Sequence, residues 1–231
     1  MKRRSFLGSC AVLSGVASLG ALAQSDAPPK LYTRTRLIDI HGRPLRSKAI
    51  AAETNYVFQY PYAATPCFLL KLPRATSQAS LTREDGRSYA WNGGVGPERS
   101  LVAFSAICAH KLAYPTREVS FIRYQKDRST TSDGKVIHCC ADHSVYDPSR
   151  GARVVSGPAP QPLAGILLEH DAATDELYAL GTIGAEQFDA FFAKYEVKLG
   201  FEYGPQKAKA RVGDATVVHE LTSYCKTTIA C

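Results

Sequence analysis

The chain has 231 residues, which is the length of one large domain or two small ones. Its 45% hydrophobic and 21% charged residues are typical of an ordinary globular protein, and they exclude the disordered, collagenous and disulfide-dense classes. The formal net charge of +7 falls to +4 without residues 1–23 (25 Lys and Arg against 21 Asp and Glu), and the remaining cations are scattered among acids, so we do not expect nucleic-acid binding.

The first predicted element is an export signal over residues 1–23. Arg3 and Arg4 stand directly before an apolar run, and small residues at Ala21 and Ala23 end that run at a spacing suited to cleavage. An ordinary secretory signal and an uncleaved membrane anchor are the alternatives, since about 19 residues nearly span a bilayer. A twin-arginine signal predicts a periplasmic protein that folds, and receives any cofactor, before export.

Downstream, short strand-like runs are separated by Gly, Pro, Asp and Ser, as in an antiparallel β domain. Residues 128–134 form a polar turn, which predicts a hairpin over 119–139. One amphipathic helix is predicted from Ala185 to near Gly200, because Phe188, Phe191, Phe192 and Tyr195 recur at spacings of three and four. The predicted fold class is all-β with a small α contribution. The predicted strands cover residues 31–40, 55–60, 67–72, 101–107, 119–124, 135–139, 165–169 and 176–180.

Two short motifs carry the chemistry. Cys108 and His110 are two residues apart, Cys140 and His143 are three apart, and each pair follows a predicted strand. Thiolate and imidazole at these spacings can reach one metal site. A stiff Gly-Pro-Ala-Pro segment at residues 157–160 is placed to cover a site nearby.

These three segments resemble the loops of a Rieske iron–sulfur protein, over about residues 101–165. The resemblance implies a β base domain with a cluster-binding subdomain and a [2Fe–2S] cluster. Cys108 and Cys140 would ligate the buried iron, and His110 and His143 the outer one. Neutral imidazole in place of thiolate raises the reduction potential into the range of about −150 to +300 mV, so the implied activity is one-electron transfer.

The residues upstream narrow the resemblance. Segments at 60–62, 65–72 and 93–97 are similar to the small subunit of arsenite oxidase, which extends the likeness to about residues 55–165. This implies an electron-transfer subunit rather than a stand-alone enzyme, with a molybdenum-containing large subunit as its redox partner. The segment at 157–160 is more similar to the Rieske subunit of quinol:cytochrome c reductases, for which the partner would be a cytochrome b or c. Both alternatives remain open.

The chain departs from the family pattern at several positions. Many relatives carry two further cysteines that tie the cluster loops together, and the matching positions here are Ala113 and Asp142. Loss of both predicts loops that are held in another way and a cluster that is easier to lose. Cys139 has no family role and is predicted to be a small buried residue that closes a strand.

The hydroxyl donors are also out of register. The family places one residue between the second histidine ligand and a serine, whereas Ser144 follows His143 directly, and Tyr146 is shifted with it. Lys111 replaces an apolar residue beside His110, where a cation would favour the reduced cluster or steer an acidic partner, unless it is simply a solvated loop lysine.

Two readings from other classes compete with an iron–sulfur protein. The same four residues could hold one structural zinc ion, or the cysteines could form disulfides in a cofactor-free secreted domain. Cys225 and Cys231 could form a local bridge in an oxidising compartment, with free thiols as the alternative, and Cys67 is expected in the core. The domain plan is a signal or possible membrane anchor at 1–23, a Rieske domain at 24–184 and a C-terminal extension at 185–231.

Overall fold

The computed structural model describes residues 27–204 and 206–231, so the predicted signal at 1–23 lies outside the described residues. None of the helices in the described ranges has the length and apolar character that a membrane span requires. The helices are α1 Phe188–Tyr203 and α2 Leu221–Tyr224. The strands are β1 Lys30–Ile38, β2 Tyr56–Gln59, β3 Pro66–Lys71, β4 Ala79–Thr82, β5 Ser88–Trp91, β6 Leu101–Ser105, β7 Val119–Ser120, β8 Ile122–Gln125, β9 Val136–Cys139, β10 Ser144–Asp147, β11 Arg153–Ser156, β12 Gly165–Asp171, β13 Glu176–Ile183, β14 Ala215–Val217, β15 His219–Glu220 and β16 Thr227–Thr228.

The larger sheet has eight strands in the order β14-β1-β13-β12-β6-β3-β2-β15. Its neighbours are antiparallel except for β1 and β14. The interior strand β3 is covered on both faces, and its successive side chains point to opposite sides. Phe68 and Leu70 pack into one core, and Cys67 and Leu69 into the other. The prediction that Cys67 is a core residue is confirmed.

A smaller four-stranded sheet, in the order β11-β10-β9-β8, packs on one face of the larger sheet. Ile122 pairs with Cys139 and Gln125 with Val136, so the hairpin predicted over residues 119–139 is confirmed. Strand β9 leads directly into the second cysteine motif. The small sheet therefore determines where the side chains of that motif point.

Helix α1 confirms the single predicted amphipathic helix and ends a few residues later than expected, at Tyr203. Its buried side contributes Phe188, Phe191 and Phe192 to a core shared with Ile107. The residues that follow complete the sheets, because β14 pairs with β1, β15 with β2 and β16 with β7. The segment predicted as an extension is thus joined to the β fold along three strand edges.

The expected fold class, all-β with a small α contribution, is confirmed. Each predicted strand is present, and the one over 119–124 is divided into β7 and β8. Further strands that were not predicted are β4, β5, β10, β11 and the three strands near the C-terminus.

Candidate metal centre

The first loop of the site, residues 106–114, follows β6 and carries Cys108 and His110. The N–H of Cys108 donates to the carbonyl of Ala113 at 2.8 Å, and the N–H of Leu112 donates to the carbonyl of Cys108 at 3.0 Å. This tight turn leaves Cys108 fully buried. The side chain of His110 remains 37% exposed. The loop therefore presents a sulfur to the interior and an imidazole to the surface.

Helix α1 supports the first loop from outside. The Gln187 amide nitrogen, just before the helix, donates to the carbonyl of Ala109 at 2.8 Å. Lys194 donates to the carbonyl of Lys111 at 2.5 Å. The ring of Tyr114 packs edge-on against Phe191, with 4.9 Å between ring centroids. Together these contacts attach the first loop to α1.

The second loop, residues 139–144, joins β9 to β10. It is closed by hydrogen bonds from the N–H of His143 to the carbonyl of Cys139 at 2.7 Å and from the N–H of Ser144 to Asp142 Oδ1 at 3.0 Å. Cys139 lies on the same face of β9 as the buried Ile137, so its sulfur points inward. The Asp142 side chain is only 2% exposed, whereas His143 is exposed.

Donor atoms from the two loops converge between the sheets. Cys108 Sγ, Cys139 Sγ and a carboxylate oxygen of Asp142 lie within 4.8 Å of one another. Asp142 Oδ2 is 3.2 Å from Cys108 Sγ and 3.0 Å from His110 Nδ1. The Tyr146 hydroxyl is 3.4 Å from Cys108 Sγ and accepts the N–H of Ala109 at 3.1 Å. Two sulfurs, a nitrogen and a carboxylate thus share one site.

The surroundings favour the anionic forms of Cys108 and Asp142 but the neutral thiol of Cys139. The pKa of Cys108 is lowered because the Cys139 thiol donates to it, and the Tyr146 hydroxyl adds to this effect against the opposing effect of burial. The pKa of Cys139 is raised because it is the donor in that pair and because it is buried. For Asp142, burial alone would raise the pKa, but hydrogen bonds from the Ser144 N–H and the two thiols hold it below its ordinary value. A thiolate is the form of cysteine that ligates metals.

The structure brings together two of the four predicted ligands, Cys108 and His110, and it separates the other two from them. Cys140 forms a disulfide with Cys231, with 5.6 Å between the Cα atoms, so its sulfur is already bonded. This corrects the expectation for Cys140. Cys140 is the residue directly after Cys139, the last residue of β9. Because neighbouring positions of a strand face opposite sides, the side chain of Cys140 points away from the core that Cys139 enters.

The exposed ring of His143 lies near the buried ring of His138, at 6.0 Å between centroids, and Cys231 belongs to the same group of side chains. The prediction of a bridge between Cys225 and Cys231 is wrong, because Cys231 is bonded to Cys140 and Cys225 is a buried free thiol.

Sequence reasoning missed Cys139 and Asp142, although a signal for both was present. If the second motif is counted from Cys139, Asp142 takes the place of the second histidine and His143 becomes the one residue expected before Ser144. The two absent loop cysteines then correspond to Ala113 and Ala141. A shift of one residue thus removes the irregular spacing of Ser144 and Tyr146.

The site fits an iron–sulfur cluster. Two buried sulfurs supply the thiolate ligands that such clusters require. The hydroxyl of Ser144 is buried beside them and has no hydrogen-bond partner among the described residues, although buried polar groups are normally paired. A hydrogen bond to a cluster sulfur would satisfy this hydroxyl.

The Gly-Pro-Ala-Pro segment lies against the second loop, as expected. Gly157 has a φ of +90°, and a Cβ at this position would lie 2.4 Å from the carbonyl oxygen of His143. Only glycine permits such a close approach in this conformation. Ala159 of this segment, and Leu163 just after it, belong to the same apolar core as Cys108 and Cys139.

Among the known proteins that are similar to this chain, two match it over most of its length. Iodate reductase subunit IdrB of Pseudomonas sp. (strain SCT) is 28% identical over 189 residues, which cover 80% of each chain. The protein of the same name from Denitromonas iodatirespirans is 28% identical over 193 residues, or 80% of this chain and 82% of that one. Among solved structures, the soluble domain of Rieske protein II (soxF) from Sulfolobus acidocaldarius is 25% identical, with a TM-score of 0.46, and the match covers 71% of this chain and 86% of that one. No protein-family model matches the chain.

Proposed function

We propose that this chain, a Rieske-type iron–sulfur protein by its loop residues, its β fold and its relatives, is the electron-transfer subunit of a periplasmic oxidoreductase complex. Its cofactor is a [2Fe–2S] cluster, which supplies one-electron chemistry when bound. The observation that carries the proposal is the convergence of the Cys108 and Cys139 sulfurs with His110 and Asp142.

Each residue of the site has a distinct task in such a protein. The buried thiolates of Cys108 and Cys139 hold the inner side, where the sheets exclude water. The Tyr146 hydroxyl donates towards Cys108 Sγ, and the Ser144 hydroxyl is free to donate, so both stabilise negative charge on sulfur. His110 reaches the surface and gives electrons a short route to a docked partner.

The relatives favour one of the two partner hypotheses. Both are named as subunits of an iodate reductase, so each works as part of an oxyanion-converting enzyme. We infer that this chain likewise docks on a larger molybdenum-containing subunit, as in an arsenite-oxidase-like complex, rather than on a cytochrome b. The twin-arginine pattern in residues 1–23 supports export of the loaded protein to the periplasm.

The first test is the cofactor content of the full chain purified without oxygen. We expect about two iron atoms and two sulfides per chain, visible absorption, and a paramagnetic resonance signal after reduction. Cys108→Ser should remove the cluster, whereas Cys225→Ser, which removes a buried free thiol elsewhere, should retain it. A colourless protein without iron and sulfide would contradict the proposal, and stoichiometric zinc would favour the structural zinc module.

The second test identifies the partner. Affinity purification of the chain from its native host should recover a large subunit that contains molybdenum. Recovery of a cytochrome b instead would favour the quinol-oxidising alternative.

A further inference from the structure

The unusual feature of the site is a buried carboxylate where the sequence motif led us to expect an imidazole. The side chain of Asp142 is 2% exposed, and Oδ2 is 3.2 Å from Cys108 Sγ and 3.0 Å from His110 Nδ1. In the described residues, His110 is its only ion-pair partner. A carboxylate buried beside two sulfurs is costly without a compensating positive charge, and a metal ion supplies that charge.

The second loop holds this arrangement firmly. Asp142 Oδ1 accepts the N–H of Ser144, which fixes the carboxylate, while the N–H of Cys140 donates to the carbonyl of Phe121 at 2.6 Å. The disulfide to Cys231 anchors the opposite side of the loop. Exchanging Asp142 for His143 at the site would require the loop to turn over against all three restraints.

We propose that the sulfur ligands of the cluster are Cys108 and Cys139, and that its outer ligands are one imidazole, His110, and one carboxylate, Asp142. This inference rests on the proposed function, because it assumes that the site holds a [2Fe–2S] cluster. The family spacing agrees with it, since Asp142 follows Cys139 by three residues and precedes Ser144 by two. His143 and Cys140 then belong to the outer surface of the loop.

A carboxylate ligand changes the properties of the cluster. It carries a full negative charge where a second imidazole would be neutral, and the reduction potential of such clusters depends on net charge. We therefore expect a lower potential than for a cluster with two imidazole ligands. Asp142→His should raise the midpoint potential and should bring a second nitrogen to the cluster.

The decisive measurement is the number of nitrogens coupled to the reduced cluster, by pulsed electron paramagnetic resonance. Coupling to one imidazole is expected in the unmodified protein and in His143→Ala. His110→Ala should lose that coupling, and Asp142→His should show two. The His143→Ala variant is the matched control, because it removes the neighbouring imidazole and leaves the carboxylate in place.

The outcomes separate this inference from the function on which it rests. Two imidazole couplings in the unmodified protein, one of them lost in His143→Ala, would overturn the assignment of Asp142 while leaving the electron-transfer function intact. Absence of any cluster would overturn both. The iron content of two further variants tests the sulfur ligands. Cys139→Ser should contain almost no iron, whereas Cys140→Ser should retain it.

Discussion

The C-terminal segment supports the first loop of the metal centre by packing and hydrogen bonds, and it supports the second loop by a covalent bond. Helix α1 contacts the first loop through Gln187, Lys194 and Phe191. The chain terminus holds the second loop through the bond between Cys231 and Cys140. Both supports come from residues 185–231, the segment without a role in the sequence analysis.

This difference explains how the loops keep their positions without a disulfide between them. When the second motif is counted from Cys139, Ala113 and Ala141 occupy the positions of the two cysteines that tie the loops together in many relatives. Neither alanine can form a disulfide. The C-terminal segment replaces that single tie with two separate ones. Because the supports are separate, a change in one should loosen its own loop and leave the other in place.

The largest effect should follow from loss of the packing support. Phe191 is fully buried against Tyr114, so Phe191→Ala should reduce the free energy of unfolding by about 3–5 kcal/mol. Amide hydrogen exchange should accelerate in the first loop and remain slow in the second. Phe201→Ala is the matched control, because Phe201 lies on the same helix but is 87% exposed, and it should change stability by less than about 0.5 kcal/mol.

If both loops exchange faster in Phe191→Ala while the protein remains folded, the two supports are not independent. The two loops would then be linked through a shared element, such as the core that Cys108 and Cys139 both enter.

The next effect concerns the covalent support. Cys231→Ser opens a bridge between residues 91 positions apart, which should cost about 2–4 kcal/mol by releasing the unfolded chain. Exchange should accelerate in the second loop, and a chelator should remove iron faster. Cys140→Ser and the double variant should match Cys231→Ser, because all three remove the same bond.

A direct count of thiols checks the bridge itself. The described residues contain four free cysteines, namely Cys67, Cys108, Cys139 and Cys225. Denatured mature protein, freed of cluster without a reductant, should therefore show four reactive thiols, rising to six after reduction. Six before reduction would show that the second loop has no covalent support.

The strands that sequence analysis found include those with several consecutive buried residues, such as β3 and β13. The strands it missed are short or polar, such as β4 and β11, where most side chains are partly or fully exposed. Their position depends on pairing with a partner strand rather than on their own pattern.

The site divides in the same way. Cys108 and His110 could be predicted because their spacing is local. Cys139 could have been found from the alternation of β9, since Ile137 and Cys139 share the inward face. The bond between Cys140 and Cys231 could not, because cysteine spacing does not determine pairing and the partners lie far apart in the sequence.

The smallest effect tests a single hydrogen bond of the packing support. Gln187→Ala removes the donor to the carbonyl of Ala109, which should cost about 1 kcal/mol of unfolding free energy. The loss is limited because the buried Gln187 Oε1, which has no hydrogen-bond partner among the described residues, is removed at the same time. Urea unfolding measures the difference in unfolding free energy between Gln187→Ala and the control Gln206→Ala, which changes an exposed glutamine beyond the helix. Equal stability of the two variants would mean that packing by Phe191, rather than this hydrogen bond, holds the first loop on α1.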